Sequence, residues 1–510
     1  MESAQAPLDE AADAVARVSI ERVPVSVRTQ VEQLKSALTE SRLAMRDMKA
    51  VAELLLNVVG HDRARRYLVL FQNQTELRPT GGFIGSVADV TVDRGEVKKV
   101  VVPGGGPYDL RNQLLVRVKP PQPLQLIAAR WEFQDSNWFP DFAAAAEKVR
   151  WFWSKSGQPS VDGVIAMNAT LVQKLLVITG PIEMPEYGKT ITAENFLFET
   201  QKAVELEYDK EENKPKKFIG DLLPKVLDRI KQGSQDDWLK YAALMSEALD
   251  TKEIQVAFVD EDEQQLIDQW GWSGRLKPTA GDALALVESN IAGQKTDGVI
   301  QEQVVHQATI QADGSIIDEV KVTRTHHGRK GELFSGVNNV TYARLYVPQG
   351  SELLSAKGFM PPSPALFKQS LAEDPEDADV QAQTVNPRSG PNDVLVTDEF
   401  GRTAFGGWWQ LEPGATSVTT YRYRLPFTVF DLARQASEDG HVSENRAAYT
   451  LLLTSQSGKI DRQLDTSVQV PSGWQAVWSS SSTTFSGLWD RDRVAAHVFD
   501  TSHVEPPLTP

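Results

Sequence analysis

The sequence predicts an α/β domain, preceded by an amphipathic helix and followed by an antiparallel β-sandwich region. Three observations carry this. Apolar residues from Val31 to Val59 recur three and four apart. Between about residues 63 and 295, short apolar runs alternate with helical patterns. Beyond 295, runs of period two take over, separated by turn residues. The domains predicted are 1–62, 63–295 and 296–510.

Each element has a local reason. Residues 1–24 read as a polar lead-in. The helix expected over 27–59 carries Leu34, Leu38, Met45 and Leu55 on one seam, expected to be buried, and stops at Gly60. It either packs on its own domain or forms a coiled coil or membrane-proximal stalk. "YLVLF" and "SVADVTV" read as strands, "DRG" as a hairpin turn and "EVKKVVV" as the next strand. "DFAAAAEKVRWFWSKSG" is a helix with Asp141 in its first turn, and "VDGVIAMN" is a buried strand. "ATLVQKLLVITG" is a helix closed by Gly180 and Pro181. Residues 192–250 are mostly helical, and "EIQVAFVD" is a strand. Past 295, an Asp-Gly turn between "DGVIQEQVVHQATIQA" and "SIIDEVKVTRT" signals a hairpin. The stretch 361–393, rich in Pro, Ser, Asp and Glu, reads as a long mobile loop.

Composition narrows the functions. At 510 residues the chain exceeds one ordinary core. Its net charge of −16 argues against nucleic acid, which demands a concentrated basic surface. It has no cysteine, so disulfides, thiolate metal sites and thiol nucleophiles are out. That absence favours an exported location. No run approaches the ~18 apolar residues of a membrane span, so a membrane anchor would have to be a segment absent from this chain.

The leading site candidate is the turn Glu76-Leu-Arg78-Pro-Thr80-Gly81-Gly82, directly after a buried strand. Arg78 offers a planar fork for phosphate or carboxylate, and the glycines let backbone approach a ligand. The alternative is that Arg78 ion-pairs with Glu76 or Asp141 and braces the turn. A second constellation is "FQDSNWFPDF", where Asn137 and Asp141 flank a helix start near Trp131, Trp138, Trp151 and Trp153. It is either an anion and sugar site or an N-cap beside core aromatics. Glu76, Arg78, Asn137 and Asp141 are expected in one cleft, because strand ends and helix starts converge on one sheet edge. "VPGGGPYD" is an anion nest or a flexible connector. His326 and His327 are adjacent and cannot chelate together on a strand, and His306 has no partner at ligand spacing, so no metal site is predicted.

"RYLVLFQNQTELRPTGGFIGS", "NWFPDF", "VDGVIAMNATLVQKLLVITGPIEMPEYGKTITAEN" and "WGWSG" resemble, in order, the bacterial domain-of-unknown-function 4012 family, over roughly 63–280. That resemblance implies a membrane-anchored, extracytoplasmic cell-envelope protein. A more distant likeness is to LytR-CpsA-Psr proteins, which transfer glycopolymers from a polyprenyl-pyrophosphate carrier to the cell wall. It implies a similar α/β fold and puts Arg78 at a pyrophosphate-contacting position. The Arg-Asp expected after the hairpin is replaced by "PGGG", and the later Arg-x-Arg has no counterpart. The function expected is therefore a non-catalytic or structural role towards an envelope glycopolymer or protein, with no cofactor. The alternative is a divergent transferase, in which Mg2+ would join Glu76 or Asp141.

Overall fold

A computed structural model describes residues 2–435, 445–480 and 484–502. A five-stranded sheet runs Glu96–Val101, Phe83–Asp93, Arg65–Asn73, Gly163–Asn168, Ile254–Phe258. Only the central pair, Arg65–Asn73 with Gly163–Asn168, is parallel. Alternation along Arg65–Asn73 sorts its side chains to two faces. Leu68 and Leu70 face the helix Phe142–Lys155, while Tyr67 and Val69 join Leu54 at the end of the long N-terminal helix. The tight turn Asp93–Gly95 sets Arg94 at φ 49° and Gly95 at φ 77°, so the second position suits glycine.

Beyond this lie two stacked sheets. The six-stranded one runs Glu352–Lys357, Thr416–Thr428, Ser315–His326, Ile300–Ile310, Gln463–Gln469, Thr484–Leu488. The eight-stranded one is centred on Asn339–Pro348, Asp282–Asn290 and Arg446–Thr454. Leu284, Leu286 and Leu345 of the latter meet Val304, Ile316 and Val320 of the former in one apolar core. The pairing is not wholly antiparallel. Strands Gln463–Gln469 and Ile300–Ile310 run parallel, as do Arg446–Thr454 and Asp282–Asn290.

Four features differ from the sequence reading. Residues Glu2–Ala16 form a helix rather than a polar lead-in, tied back to the long helix by Arg42–Asp13 at 3.0 Å. In the long helix Arg28–Val58, Leu34 and Leu55 stay about half exposed, and Leu54 is the buried residue. Strand Asp282–Asn290, put in the α/β domain by the boundary at 295, belongs to the stacked sheets. The segment 361–393 is a strap over the α/β domain. Buried Lys148 bonds Asp377 at 2.7 Å, Arg117 bonds Asp374 at 2.8 Å, and Lys368 N donates to the Gln125 carbonyl at 2.8 Å.

The junction between the two parts is polar and closely fitted. Leu77 N donates to Asp297 Oδ2 at 2.8 Å. Gln456 Nε2 donates to the carbonyls of Arg78 at 3.1 Å and Glu288 at 2.8 Å. Lys252 Nζ donates to the Ser455 carbonyl at 2.9 Å. Behind it, Glu288 and Glu302 sit between Arg324, Arg462 and Lys459, all fully buried between the sheets. Buried carboxylates persist there because cations surround them.

Candidate functional site

The turn after strand Arg65–Asn73 is fixed from several sides. Arg78 is 2% exposed, and its guanidinium bonds the Asn290 carbonyl, Glu76 Oε1 at 3.2 Å and Asp135 Oδ1 at 3.4 Å. It also lies 5.3 Å from the Phe83 ring centroid. Bracing by internal carboxylates is thus how Arg78 is used, and the partner beside Glu76 is Asp135. Thr80 Oγ1 accepts from Gln72 Nε2 at 2.8 Å and from Asn137 Nδ2 at 3.0 Å. Gly81 has φ 130°, its N–H donates to the Arg78 carbonyl at 3.0 Å, and Asn168, Gln72 and Ser457 crowd the space a Cβ would take. A Cβ on Gly82 would collide with the backbone of Asn73. These glycines admit neighbouring chain, not ligand.

Asp141 lies elsewhere. It caps the helix Phe142–Lys155, accepting from Ala144 N at 3.1 Å and Leu276 N at 3.2 Å. Burial pushes its carboxyl up, against the pull of the Ala144 N–H. Trp131, Trp138 and Trp153 are core residues. Trp151 is partly buried, with Lys148 Nζ 4.7 Å from its ring.

Glu76, Arg78 and Asp135 line a polar cavity of about 1410 Å3, together with Tyr108, Arg111, Arg130, Glu132, Glu205, Lys216 and Lys295. Lys295 Nζ bonds Glu205 Oε1 at 2.8 Å and Glu76 Oε2 at 3.4 Å. Burial pushes the Glu132 carboxyl up, but Gln134, Arg130 and Arg111 outweigh it and hold the group below its ordinary range. Asp135 is raised, mainly by burial and against the opposing charge of Arg78. Desolvation pushes the largely buried Lys216 down to about 8, although Glu205 and Glu76 draw it upward. Lys216 has no carboxylate at ion-pair distance among the described residues. Its ammonium is therefore open to an outside anion.

A second cavity, about 580 Å3, adjoins the first and is nearly all apolar. Phe71 and Met167 from the sheet wall it, with Leu175, Leu197, Ile219, Leu223 and Leu227 from the helices Ala169–Thr179, Phe196–Glu205 and Lys217–Lys231. Phe83, Val204, Glu205, Lys216 and Lys295 line both cavities. The sequence signals for this were weak. Lys216 sits in the charged stretch "DKEENKPKK", which reads as a solvated loop. Asp135 lies six residues before Asp141, inside the segment already singled out, but nothing local separates their roles.

Residues 62–204 match the family described as "Protein of unknown function (DUF4012)". This stretch is similar to that family. It carries Glu76, Arg78 and Asp135 and ends at Val204, on the shared wall of the two cavities. No curated protein matches the chain. Among solved structures, gbs0355 from Streptococcus agalactiae aligns at 16% identity over 41% of this chain and 74% of its own, with TM-score 0.25. Lin1025 from Listeria innocua aligns at 12% over 41% and 79%, with TM-score 0.24. A putative nutrient binding protein from Legionella pneumophila aligns at 10% over 44% and 70%, with TM-score 0.18. Alignments this loose carry no argument about fold or function.

Proposed function

We propose that this chain is an extracytoplasmic envelope protein that binds an amphiphilic envelope molecule, a long-chain lipid with an anionic head or a polymer linked to one, without turning it over. The observation that carries the reading is the shared wall. An apolar cavity of about 580 Å3 opens against a charged one, with Lys216 and Lys295 at the join. The volume is in the range of about 300–1,000 Å3 typical of small-molecule sites. Each methylene buried there would contribute about 0.8 kcal/mol. The head group would meet cations at the seam, and the stacked sheets would serve contact with an envelope polymer or protein. Absence of cysteine fits an exported location.

The distant sequence resemblance to LytR-CpsA-Psr proteins points to the same lipid class and would extend the reading to glycopolymer transfer. Binding without transfer is favoured because Arg78 is already committed to Glu76, Asp135 and a backbone carbonyl. Phosphoryl transfer depends on cations free to take developing charge. Of the two carboxylates considered for Mg2+, only Glu76 lines the polar cavity. The test is organic extraction of the purified chain followed by mass spectrometry, with parallel assay of glycopolymer transfer in Mg2+. A retained phosphate-bearing long-chain lipid without transfer is the expected result. Transfer would install the enzyme reading, and failure to retain or take up any such lipid would remove both.

A further inference from the structure

Deep between the stacked sheets lies a polar cluster that the lipid reading does not use. Asp282 opens strand Asp282–Asn290 of the eight-stranded sheet. His306 and Asp318 stand on neighbouring strands of the six-stranded sheet, where His306 is in register with Val320, two residues beyond Asp318. Side chains two apart share a face, so both point inward at Asp282. All three are wholly buried. His306 Nε2 lies 3.8 Å from Asp282 Oδ2 and 3.8 Å from Asp318 Oδ2, and one ligand atom from each residue falls within 4.8 Å of the others.

The histidine makes this more than a pair of acids. Among the described residues neither ring nitrogen has a hydrogen-bond partner, although the side chain is fully buried. A buried imidazole with both nitrogens idle is rare, and the nitrogen facing the two carboxylates is a ready metal ligand. Around it, Asp282 is already oriented. Tyr449 Oη donates to its Oδ2 at 2.5 Å and Ala283 N to its Oδ1 at 2.7 Å. The Tyr423 hydroxyl faces Asp318.

We propose that Asp282, His306 and Asp318 bind a divalent transition-metal cation, with zinc the best match, which staples the two sheets together. Two carboxylates neutralise a dication, and a mixed nitrogen and oxygen set suits zinc. Metal bonds of about 2.0–2.2 Å put ligand atoms about 3.3–3.6 Å apart, so the two 3.8 Å spacings from His306 close by a few tenths of an ångström. Calcium wants six to eight oxygens and magnesium a near-octahedral oxygen shell, which one imidazole and two carboxylates do not offer.

The experiment uses the untagged full chain, equilibrated with zinc chloride at neutral pH and then dialysed against metal-free buffer. Elemental analysis should find one zinc per chain. Zinc-edge X-ray absorption should give an all nitrogen/oxygen shell containing one imidazole, and chelation should lower the thermal midpoint. His306→Gln and Asp318→Asn should each lose the zinc. Substoichiometric zinc in the wild-type chain, with no effect of chelator, overturns the proposal and leaves a cluster held by protons. Full zinc retention by a folded His306→Gln chain overturns it too, because the ion would then sit elsewhere. Tighter binding of calcium than zinc overturns the assigned class. The wild-type measurements decide the matter even if the variants do not fold.

Discussion

Replacing Arg78 with Met removes the charge that holds the turn, the Asp135 carboxyl and the Asn290 carbonyl together. Its cost follows from the contacts. Asp135 Oδ1 loses a guanidinium at 3.4 Å, Glu76 Oε1 loses one at 3.2 Å, and the stacking on Phe83 at 5.3 Å goes. Removing one partner of a buried pair costs about 3–5 kcal/mol, because the other charge stays uncompensated. The pH dependence follows from Asp135. Its folded carboxyl is raised by burial, and Arg78 is what opposes that rise. A carboxyl with a folded pKa above its unfolded value of about 3.9 binds more protons when folded, so stability falls as pH climbs between the two values. Loss of Arg78 lifts the folded value further. The deficit of Arg78→Met should therefore be larger at pH 8 than at pH 5, by at most about 1.4 kcal/mol per pH unit in between. Urea unfolding of the full chain followed by circular dichroism at both pH values reads this, and adding Asp135→Asn should recover part of the loss. A deficit below about 1 kcal/mol, one independent of pH, or no recovery in the double variant would refute the bracing role.

Lys148→Met should free the strap 361–393. The ammonium lies 2.7 Å from Asp377 Oδ2 and 5.4 Å from the Trp131 ring, so its loss should cost about 3 kcal/mol and speed tryptic cleavage at Lys368. An unchanged cleavage rate counts against that anchoring. Lys216, pushed down to about 8, should make binding of a polyprenyl phosphate weaken as pH rises through that value, and Lys216→Met should flatten the profile. A wild-type profile flat from pH 7 to 9 would take Lys216 out of the head-group site.

Local signals in the sequence were readable, and distant pairings were not. The Asp-Gly turn at 313–314 joins strands Ile300–Ile310 and Ser315–His326, as the period-two runs imply. Asp141 as a helix-start acid is a local property, and it caps its helix. The Arg78 partner is a tertiary property. The short 3-10 turn Phe133–Asp135 carries Asp135 to the guanidinium, while Asp141 turns towards Leu276. Strand Asp282–Asn290 is buried along its whole length, Glu288 and Asn290 included, so it lacks the alternation that marks its neighbours. Its Glu288 is matched by Arg324 and Arg462, far along the chain. The strap looked mobile because Pro and acidic residues rarely build a core, yet Lys148 of another element holds it. The cavity beside Lys216 was invisible because its wall is drawn from one sheet and several helices.

On the proposed reading, the apolar and charged cavities together hold one amphiphile. Isothermal titration of the full chain with a long-chain polyprenyl phosphate, set against a short-chain analogue with the same head, tests it most directly. Thr200→Trp, which fills the apolar cavity from helix Phe196–Glu205, serves as the blocked control. Saturable one-to-one binding of the long chain is expected, with much weaker binding of the short one at about 0.8 kcal/mol lost per methylene left out of the cavity, and loss of long-chain binding in Thr200→Trp. Equal affinities for both chain lengths, or a Thr200→Trp chain that binds as the wild type does, would contradict it.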